Sequence, residues 1–300
     1  MNVHINEKKG LDISTINSDI VAEIVKKKGT LPVEIRSYHG VGAKLEWALE
    51  IMAFCEENQL TPQFRFTYPN SDPEVNYFDS FFELRNYHGS DDAEEFIIIG
   101  SIHELGLSKS YDPVLNLELA AALIDRHLRV KDSVLTEVDS FCSEHFDNKD
   151  VLGIHYRGTD KASEAQPVSF DKVVRNINFY IEKFPETSVV FLSSDEEKFI
   201  RYFENNPIAR PVVFRNDKLR SKDNTAVHFS CPNYFDMNVD ALVNCLILSR
   251  CDALMKTASI LSGWSRLFNP QLPLIMLNEP FDKYFPERDL LNVVLYEPVQ

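Results

Sequence analysis

Residues 150–161 read DVLGIHYRGTDK, an apolar run that ends abruptly in polar and charged side chains. The apolar part predicts a buried β-strand over 150–156. The polar residues, from Arg157 to Lys161, then begin at the carboxyl end of that strand. Ligands of open parallel sheets bind beyond the carboxyl ends of strands, so this end is a candidate site.

The rest of the chain alternates between strand and helix patterns on both sides of this segment. Strands are predicted at 33–38, 61–69, 94–100, 187–195, 210–215, 251–257 and 272–277, and helices at 43–58, 169–184, 196–206, 237–250, 259–268 and, as a pair, within 114–146. Such alternation implies parallel sheets with right-handed crossovers. We predict an α/β fold with two Rossmann-like domains. The compact N-terminal domain comprises residues 1–146, including a helical hinge, and the C-terminal domain comprises residues 147–300.

Composition excludes several classes of function. The 300 residues carry a net charge of -15, which argues against a nucleic-acid partner and means that a phosphate ligand needs a local positive site. No apolar run reaches the roughly 20 residues of a membrane helix, and the N-terminus lacks an apolar signal core. The five cysteines have no metal-ligand spacing, so we expect buried thiols in a reducing, cytoplasmic compartment.

A glycine-containing turn follows the first predicted strand. Gly40 and Gly42, within HGVGAK, lie between that strand and a helix, where the backbone can approach a ligand closely. The third glycine of a dinucleotide-binding turn is absent, and no GxxxxGK segment occurs in the chain. A tight turn without any ligand is an equally good interpretation of this segment.

Besides this turn, two polar clusters follow predicted strands, the one after residue 156 and another after residue 257. Arg157 and Lys161 offer cations for a phosphate, although Arg157 paired with Asp160 across a loop would explain the same residues. Ser259 and Ser262 lie at a predicted helix start, where backbone amides point outward. Ordinary helix capping is the simpler explanation of these serines.

Taken together and in this order, the segments resemble the fucosyltransferase superfamily with the two-domain GT-B fold, especially the α-1,6-fucosyltransferases and the nodulation fucosyltransferases. The likeness spans about residues 33–280. The family pattern HxRxTDK is the most specific part, and a GxG turn, a strand that ends in aspartate and a serine-containing loop surround it. The matching residues are His155, Arg157, Thr159, Asp160 and Lys161, then Gly40 and Gly42, Asp195, and finally Leu248–Asp252 with Ser259 and Ser262.

The resemblance implies inverting transfer of fucose from GDP-fucose to a glycan hydroxyl, with no cofactor other than the donor substrate and no metal ion. Residues 1–146 would form the acceptor side and residues 147–300 would bind the nucleotide sugar. Arg157 and Lys161, together with the helix that starts at Ser259, would bind the diphosphate. Glu164 aligns with the family's base if one residue is deleted from the loop, and Asp160 is the alternative base. The donor-binding residues implied are His155, Arg157, Gly158, Gly40, Gly42, Asp195, Asn244, Ser259 and Ser262.

Two positions depart from the family pattern. Gly158 stands where the animal α-1,6 enzymes have a second arginine, and Asn244 stands where an aspartate reads the guanine base. An amide offers one acceptor and two donors, whereas a carboxylate accepts both donors of guanine. Asp240, one turn earlier, could compensate. These departures leave two alternatives, a transferase for another nucleotide sugar and a nucleotide-sugar-binding module without catalysis.

Overall fold

The computed structural model describes residues 3–5, 12–13, 29–72, 74–85, 96–107, 110–159, 163–216, 219–222 and 233–290. The chain divides into two compact units, Met1–Ser133 and Val134–Gln300. The sequence pattern placed the division at residue 146 instead. The assignment of acceptor and donor roles to the two parts stays a prediction.

The first unit is built on a five-stranded sheet and a separate pair of strands. The strands are Val3–Ile5 (β1), Asp12–Ile13 (β2), Thr30–Arg36 (β3), Thr61–Thr67 (β4), Phe82–Leu84 (β5), Ile97–Ile99 (β6) and Leu128–Val130 (β7). The order in the sheet is β2-β1-β6-β3-β4. Strand β3 runs parallel to β4 and β6, whereas β1 is antiparallel to β2 and β6. The separate antiparallel pair, β5 with β7, completes the β-structure of this unit among the described residues.

The long helix of the first unit covers its sheet. Leu45, Leu49 and Met52 are buried along it, as the helical spacing of the sequence predicts. Helix α1 is Val41–Asn58, α2 is Tyr77–Phe81 and α3 is Leu117–His127, and short 3₁₀ turns occur at Ile102–Leu105 and Asp112–Val114.

The second unit contains a five-stranded parallel sheet. Its strands are Asp150–Tyr156 (β8), Thr187–Ser194 (β9), Val212–Val213 (β10), Ala253–Lys256 (β11) and Leu274–Met276 (β12). Their order in the sheet is β10-β9-β8-β11-β12. The order reverses between β8 and β11, because the chain first adds β9 and β10 on one side of β8 and then β11 and β12 on the other. Such a switch point creates a crevice at the carboxyl ends of the two strands.

Helices pack on this sheet around an aliphatic and aromatic core. The ring of Tyr156, at the end of β8, stacks on Phe199 with centroids 4.4 Å apart, and its hydroxyl donates to the Val168 carbonyl at 2.8 Å. These contacts fix the end of β8 and the segment that follows it. The helices are Asp132–His145 (α4), Phe170–Lys183 (α5), Glu197–Asn205 (α6), Tyr234–Ser249 (α7), Ile260–Phe268 (α8) and Glu287–Leu290 (α9).

The prediction of an α/β fold with parallel sheets is confirmed, and the differences from it are local. The break expected near Arg129–Asp132 contains β7, which pairs with β5 and was not predicted. Strand β10 covers only Val212–Val213 of the predicted 210–215. Short edge pairings of this kind depend on partners far along the chain, so local pattern identifies them poorly.

Three of the described cysteines, Cys55, Cys245 and Cys251, are buried as expected, and Cys142 is partly exposed. Cys231 lies outside the described residues. Within the described ranges, no helix combines the length and the apolar character needed to cross a bilayer.

Candidate active site

The switch point of the second unit brings together two of the predicted polar clusters. Arg157 follows β8 directly, and its backbone N–H donates to the Thr257 hydroxyl at 2.8 Å, while the Thr257 N–H donates to the His155 carbonyl at 3.0 Å. Ser259 is two residues beyond Thr257, and two residues span at most about 7 Å. The residues after β8 and those after β11 therefore share one crevice.

The end of β9 contributes a carboxylate to the same crevice. The Arg157 guanidinium lies 3.1 Å from Asp195 Oδ2, which also accepts from the Thr159 hydroxyl at 2.6 Å. Asp195 Oδ1 is buried and has no hydrogen-bond partner within the described residues. The arginine side chain keeps 18% exposure, so its guanidinium is oriented by the aspartate but remains accessible to a ligand.

Glu196 is a site residue that the sequence analysis missed. Its carboxylate and the Tyr156 ring fill the space where a side chain at position 158 would begin, so Gly158 makes room for protein atoms. Burial raises the pKa of the Glu196 carboxyl, and the negative charge of Asp195 raises this pKa further. Its position directly after Asp195 at a strand end was the signal that could have identified it.

His155 of β8 and Lys256 of β11 are register partners, so their side chains lie on the same face of the sheet. Both residues are buried there. Burial lowers the pKa of His155 well below its usual value, and the positive charges of Lys256 and Arg157 lower it further. The imidazole is therefore neutral at pH 7. Its Nδ1 is buried and has no hydrogen-bond partner in the described part of the chain.

The start of helix α8 differs from the predicted serine cap. Ser259 occupies the N-cap position, but its side chain makes no capping bond, and the buried Ser262 hydroxyl donates to the Ser259 carbonyl at 3.2 Å. Instead, Glu287 Oε1 accepts from the Ser259 backbone N–H and from Lys256 Nζ, the latter at 3.1 Å. An internal carboxylate thus occupies the helix start that was predicted to meet a phosphate.

Asn244 and Asp240 belong to a neighbouring network on helix α7. Arg215 is buried and pairs with Asp240 Oδ1 at 2.8 Å and with Glu137. Asn244 Nδ2 donates to the Asp240 carbonyl at 2.9 Å. Asp240 is therefore already engaged with Arg215, which weakens its expected role as a substitute reader of guanine. No hydrogen bond among the described residues connects this network to Arg157.

Glu164 is exposed, and its backbone carbonyl accepts from the Phe281 N–H at 2.7 Å. The segment that carries it is thereby attached to the chain after β12. Asp160 and Lys161, the alternative base and the second predicted cation, lie outside the described residues.

The first unit has a polar cluster of its own at the carboxyl ends of β3 and β4. Gly40 is the N-cap of helix α1, Gly42 lies in the first turn, and a Cβ at position 40 would meet nothing within 4 Å. Lys44 Nζ donates to the Thr67 carbonyl at 2.6 Å, and the Thr67 hydroxyl donates to buried Glu34 at 2.7 Å. Burial lowers the pKa of Lys44 to about 7, opposed by the charge of Glu34.

Among the described residues, no group of three or more histidine, cysteine, aspartate or glutamate side chains is arranged to hold a metal ion. Arg157 is the partly exposed cation that the described residues place in this crevice, whereas Lys256 is fully buried and paired with Glu287.

One known protein family matches more than half of the chain. Residues 117–290 match the family model of nodulation protein Z (NodZ). No curated protein sequence matches the chain significantly.

Three solved structures illustrate the likeness. A NodZ α-1,6-fucosyltransferase soaked with GDP-fucose has 15% identity and a TM-score of 0.51, over 79% of this chain and 91% of that one. The fucosyltransferase NodZ from Bradyrhizobium has 15% identity and a TM-score of 0.49 over the same shares. POFUT1 in complex with GDP has 11% identity and a TM-score of 0.49, over 82% and 98%. The first of these likenesses establishes a shared fold.

Proposed function

Because this chain belongs to the nodulation protein Z family, we propose that it is a glycosyltransferase that transfers fucose from GDP-fucose to a hydroxyl of a glycan. The single observation that carries the proposal is the crevice at the switch point, where Arg157 is held by Asp195 next to the residues that follow β11. The relative soaked with GDP-fucose supports the choice of donor.

The diphosphate of GDP-fucose carries about two negative charges, and the break of the sugar–phosphate bond adds a further charge on the departing GDP that must be stabilised in the transition state. The planar guanidinium of Arg157 can donate two parallel hydrogen bonds to phosphate oxygens. The neutral His155 can contribute a further bond through its buried Nδ1 without competing for charge. We therefore propose that side chains stabilise the leaving group and that no metal ion is required.

Inverting transfer requires a base that takes the proton from the acceptor hydroxyl as the new bond forms. We assign this role to Glu164, whose exposed carboxylate follows the Arg157 loop, and keep Asp160 as the alternative. The acidic chain, with a net charge of -15, supports glycans over nucleic acid as partners, and its buried thiols support a cytoplasmic location.

A transferase for another nucleotide sugar is the second candidate, and Asn244 is the observation that favours it. Its amide donates within its own helix, and its oxygen can accept from only part of the pairing edge of guanine. A chain that binds the nucleotide sugar but does not transfer the sugar would have the same crevice.

Transfer itself tests the proposal. The chain is incubated with GDP-fucose and a panel of neutral glycans, and mass spectrometry measures the addition of one deoxyhexose. The expected result is transfer to at least one glycan, with GDP released in equal amount. In single-turnover experiments, Glu164→Gln should lower the rate by on the order of 10²–10⁴ while GDP affinity stays unchanged. Donor binding without any transfer would favour the non-catalytic alternative, and a normal rate in the Gln variant would move the base to Asp160.

A further inference from the structure

A groove of about 490 Å³ lies in the second unit, beside the segment that carries Glu164. Its walls are the chain from Gln166 to Lys172 and the chain from Met276 to Lys283. None of the donor-binding or catalytic residues discussed above lines it. Small-ligand sites commonly have volumes of roughly 300–1,000 Å³, so this groove can hold a ligand of one or two rings.

The walls of the groove are fixed by hydrogen bonds. Asn278 Nδ2 donates to the Gln166 carbonyl at 2.7 Å, and Asn278 Oδ1 accepts from the Ala258 N–H at 2.7 Å. A β-bridge joins Ala165 to Pro280. Because the two walls are bonded to each other and to the end of β11, the groove is a built feature of the fold.

Two exposed aromatic residues lie on this fixed framework. Phe281, which lines the groove, is 53% exposed, and Tyr284, next to the lining residue Lys283, is 59% exposed. They are the two most exposed large apolar side chains of the described residues. Exposed aromatic rings on a hydrogen-bonded framework are typical of binding surfaces.

The charges around the groove point to a neutral polar ligand. Lys283 and Glu279 form an ion pair at 3.9 Å, and Lys172 lies on the opposite wall. The lining thus carries two lysines and one glutamate, and one lysine is paired, so its net charge is small and the groove is not a strongly charged site. A sugar ring combines apolar faces that can stack on an aromatic ring with hydroxyls that hydrogen-bond to amides and charged groups.

We propose that this groove binds the acceptor as a neutral carbohydrate, with one sugar ring stacked on Phe281. The assignment rests on the proposed function, since it identifies the substrate that receives fucose, and it places the acceptor on the second unit, whereas the resemblance assigned the acceptor to residues 1–146. The backbone N–H of Phe281 donates to the backbone carbonyl of Glu164, so the residues proposed as platform and base are neighbours in the fold.

The test uses the full chain on an array of neutral oligosaccharides of two to five rings. We expect wild type to bind at least one glycan, Phe281→Ala to lose about tenfold or more of that affinity, and Phe281→Trp to retain it. Phe184→Ala is the matched control, because Phe184 is also exposed, at 39%, and does not line the groove. Thermal unfolding of each variant establishes that it is folded.

Two outcomes would overturn the proposal, namely no glycan bound by wild type, or equal glycan binding by Phe281→Ala and wild type. GDP titration of the same samples separates this result from the proposed donor chemistry. Normal GDP binding without glycan binding rejects the groove alone. Glycan binding that depends on Phe281, without any GDP binding, rejects the donor chemistry and leaves the groove as a carbohydrate site.

Discussion

Arg157 is oriented before any ligand binds, since Asp195 holds its guanidinium at 3.1 Å and Thr257 holds its backbone. We expect Arg157→Ala to weaken GDP affinity roughly 100-fold, because each charge-assisted bond to the diphosphate contributes about 1.5–3 kcal/mol. Arg157→Lys should restore part of the loss, since an ammonium lacks the planar fork. Calorimetry measures both, with Arg201→Ala, an exposed arginine paired with Glu197, as the control. Wild-type affinity in Arg157→Ala would remove this residue from the donor site.

Lys44 makes the stability of the protein depend on pH. Burial lowers the pKa of Lys44 from 10.5 to about 7, so between these values the unfolded chain binds more protons than the folded chain. The free energy of unfolding of wild type should therefore rise with pH across this window, relative to Lys44→Met, and the difference should be constant below pH 7. Urea denaturation of wild type and Lys44→Met at several pH values measures this difference in the free energy of unfolding. Lys131→Met is the control in the same unit. A difference that does not change with pH would show that the buried amine does not titrate there.

At the residue scale, the sequence predicts the side chains that follow directly from a strand end. Arg157, Thr159 and Asp195 meet in the structure, because the apolar pattern locates the ends of β8 and β9, and their role in binding a donor stays a prediction. Glu287 could not be predicted, since its contacts with Lys256 and Ser259 join parts of the chain that are about 30 residues apart. Asp240 was expected to compensate for Asn244, and only the structure shows that Arg215 pairs with it.

At the element scale, helix α8 depends on a carboxylate from another element. Glu287, in helix α9, serves both the Ser259 N–H and the fully buried Lys256. We expect Glu287→Ala to lower the free energy of unfolding by about 3–5 kcal/mol, because it removes the carboxylate that pairs with a fully buried ammonium. The double variant Lys256→Met with Glu287→Leu should recover much of that loss. Glu279→Ala, which removes only an exposed ion pair, serves as the control in chemical denaturation. A loss below about 1 kcal/mol would mean that the ammonium has other adequate partners.

Elements of strong periodicity were predicted well and short ones poorly. The helix predicted over 43–58 is observed as Val41–Asn58, and the strand predicted over 150–156 is Asp150–Tyr156. The β5–β7 pair was missed, because a three-residue strand buries too little to leave a pattern in the sequence.

At the scale of the whole molecule, alternation of strands and helices was sufficient to predict parallel sheets. The switch point between β8 and β11 follows from the strand order, which periodicity does not reveal. Contact between distant segments also sets the division after Ser133, so that helix α4 belongs almost entirely to the second unit. The chemistry of the crevice therefore resides in one compact unit that includes its own supporting helices.

The most direct test of a guanine-nucleotide donor is the order of nucleotide affinities. Isothermal titration calorimetry of the full chain compares GDP, UDP, ADP and CDP, each with and without EDTA. The predicted result is that GDP binds roughly tenfold or more tightly than the other three, because each base presents a different hydrogen-bonding edge. EDTA should leave GDP affinity unchanged, because we propose that Arg157, rather than a metal ion, binds the diphosphate. Preferential binding of UDP would contradict the donor assignment and identify Asn244 as the residue that changes base specificity, and loss of GDP binding in EDTA would contradict metal-independent binding.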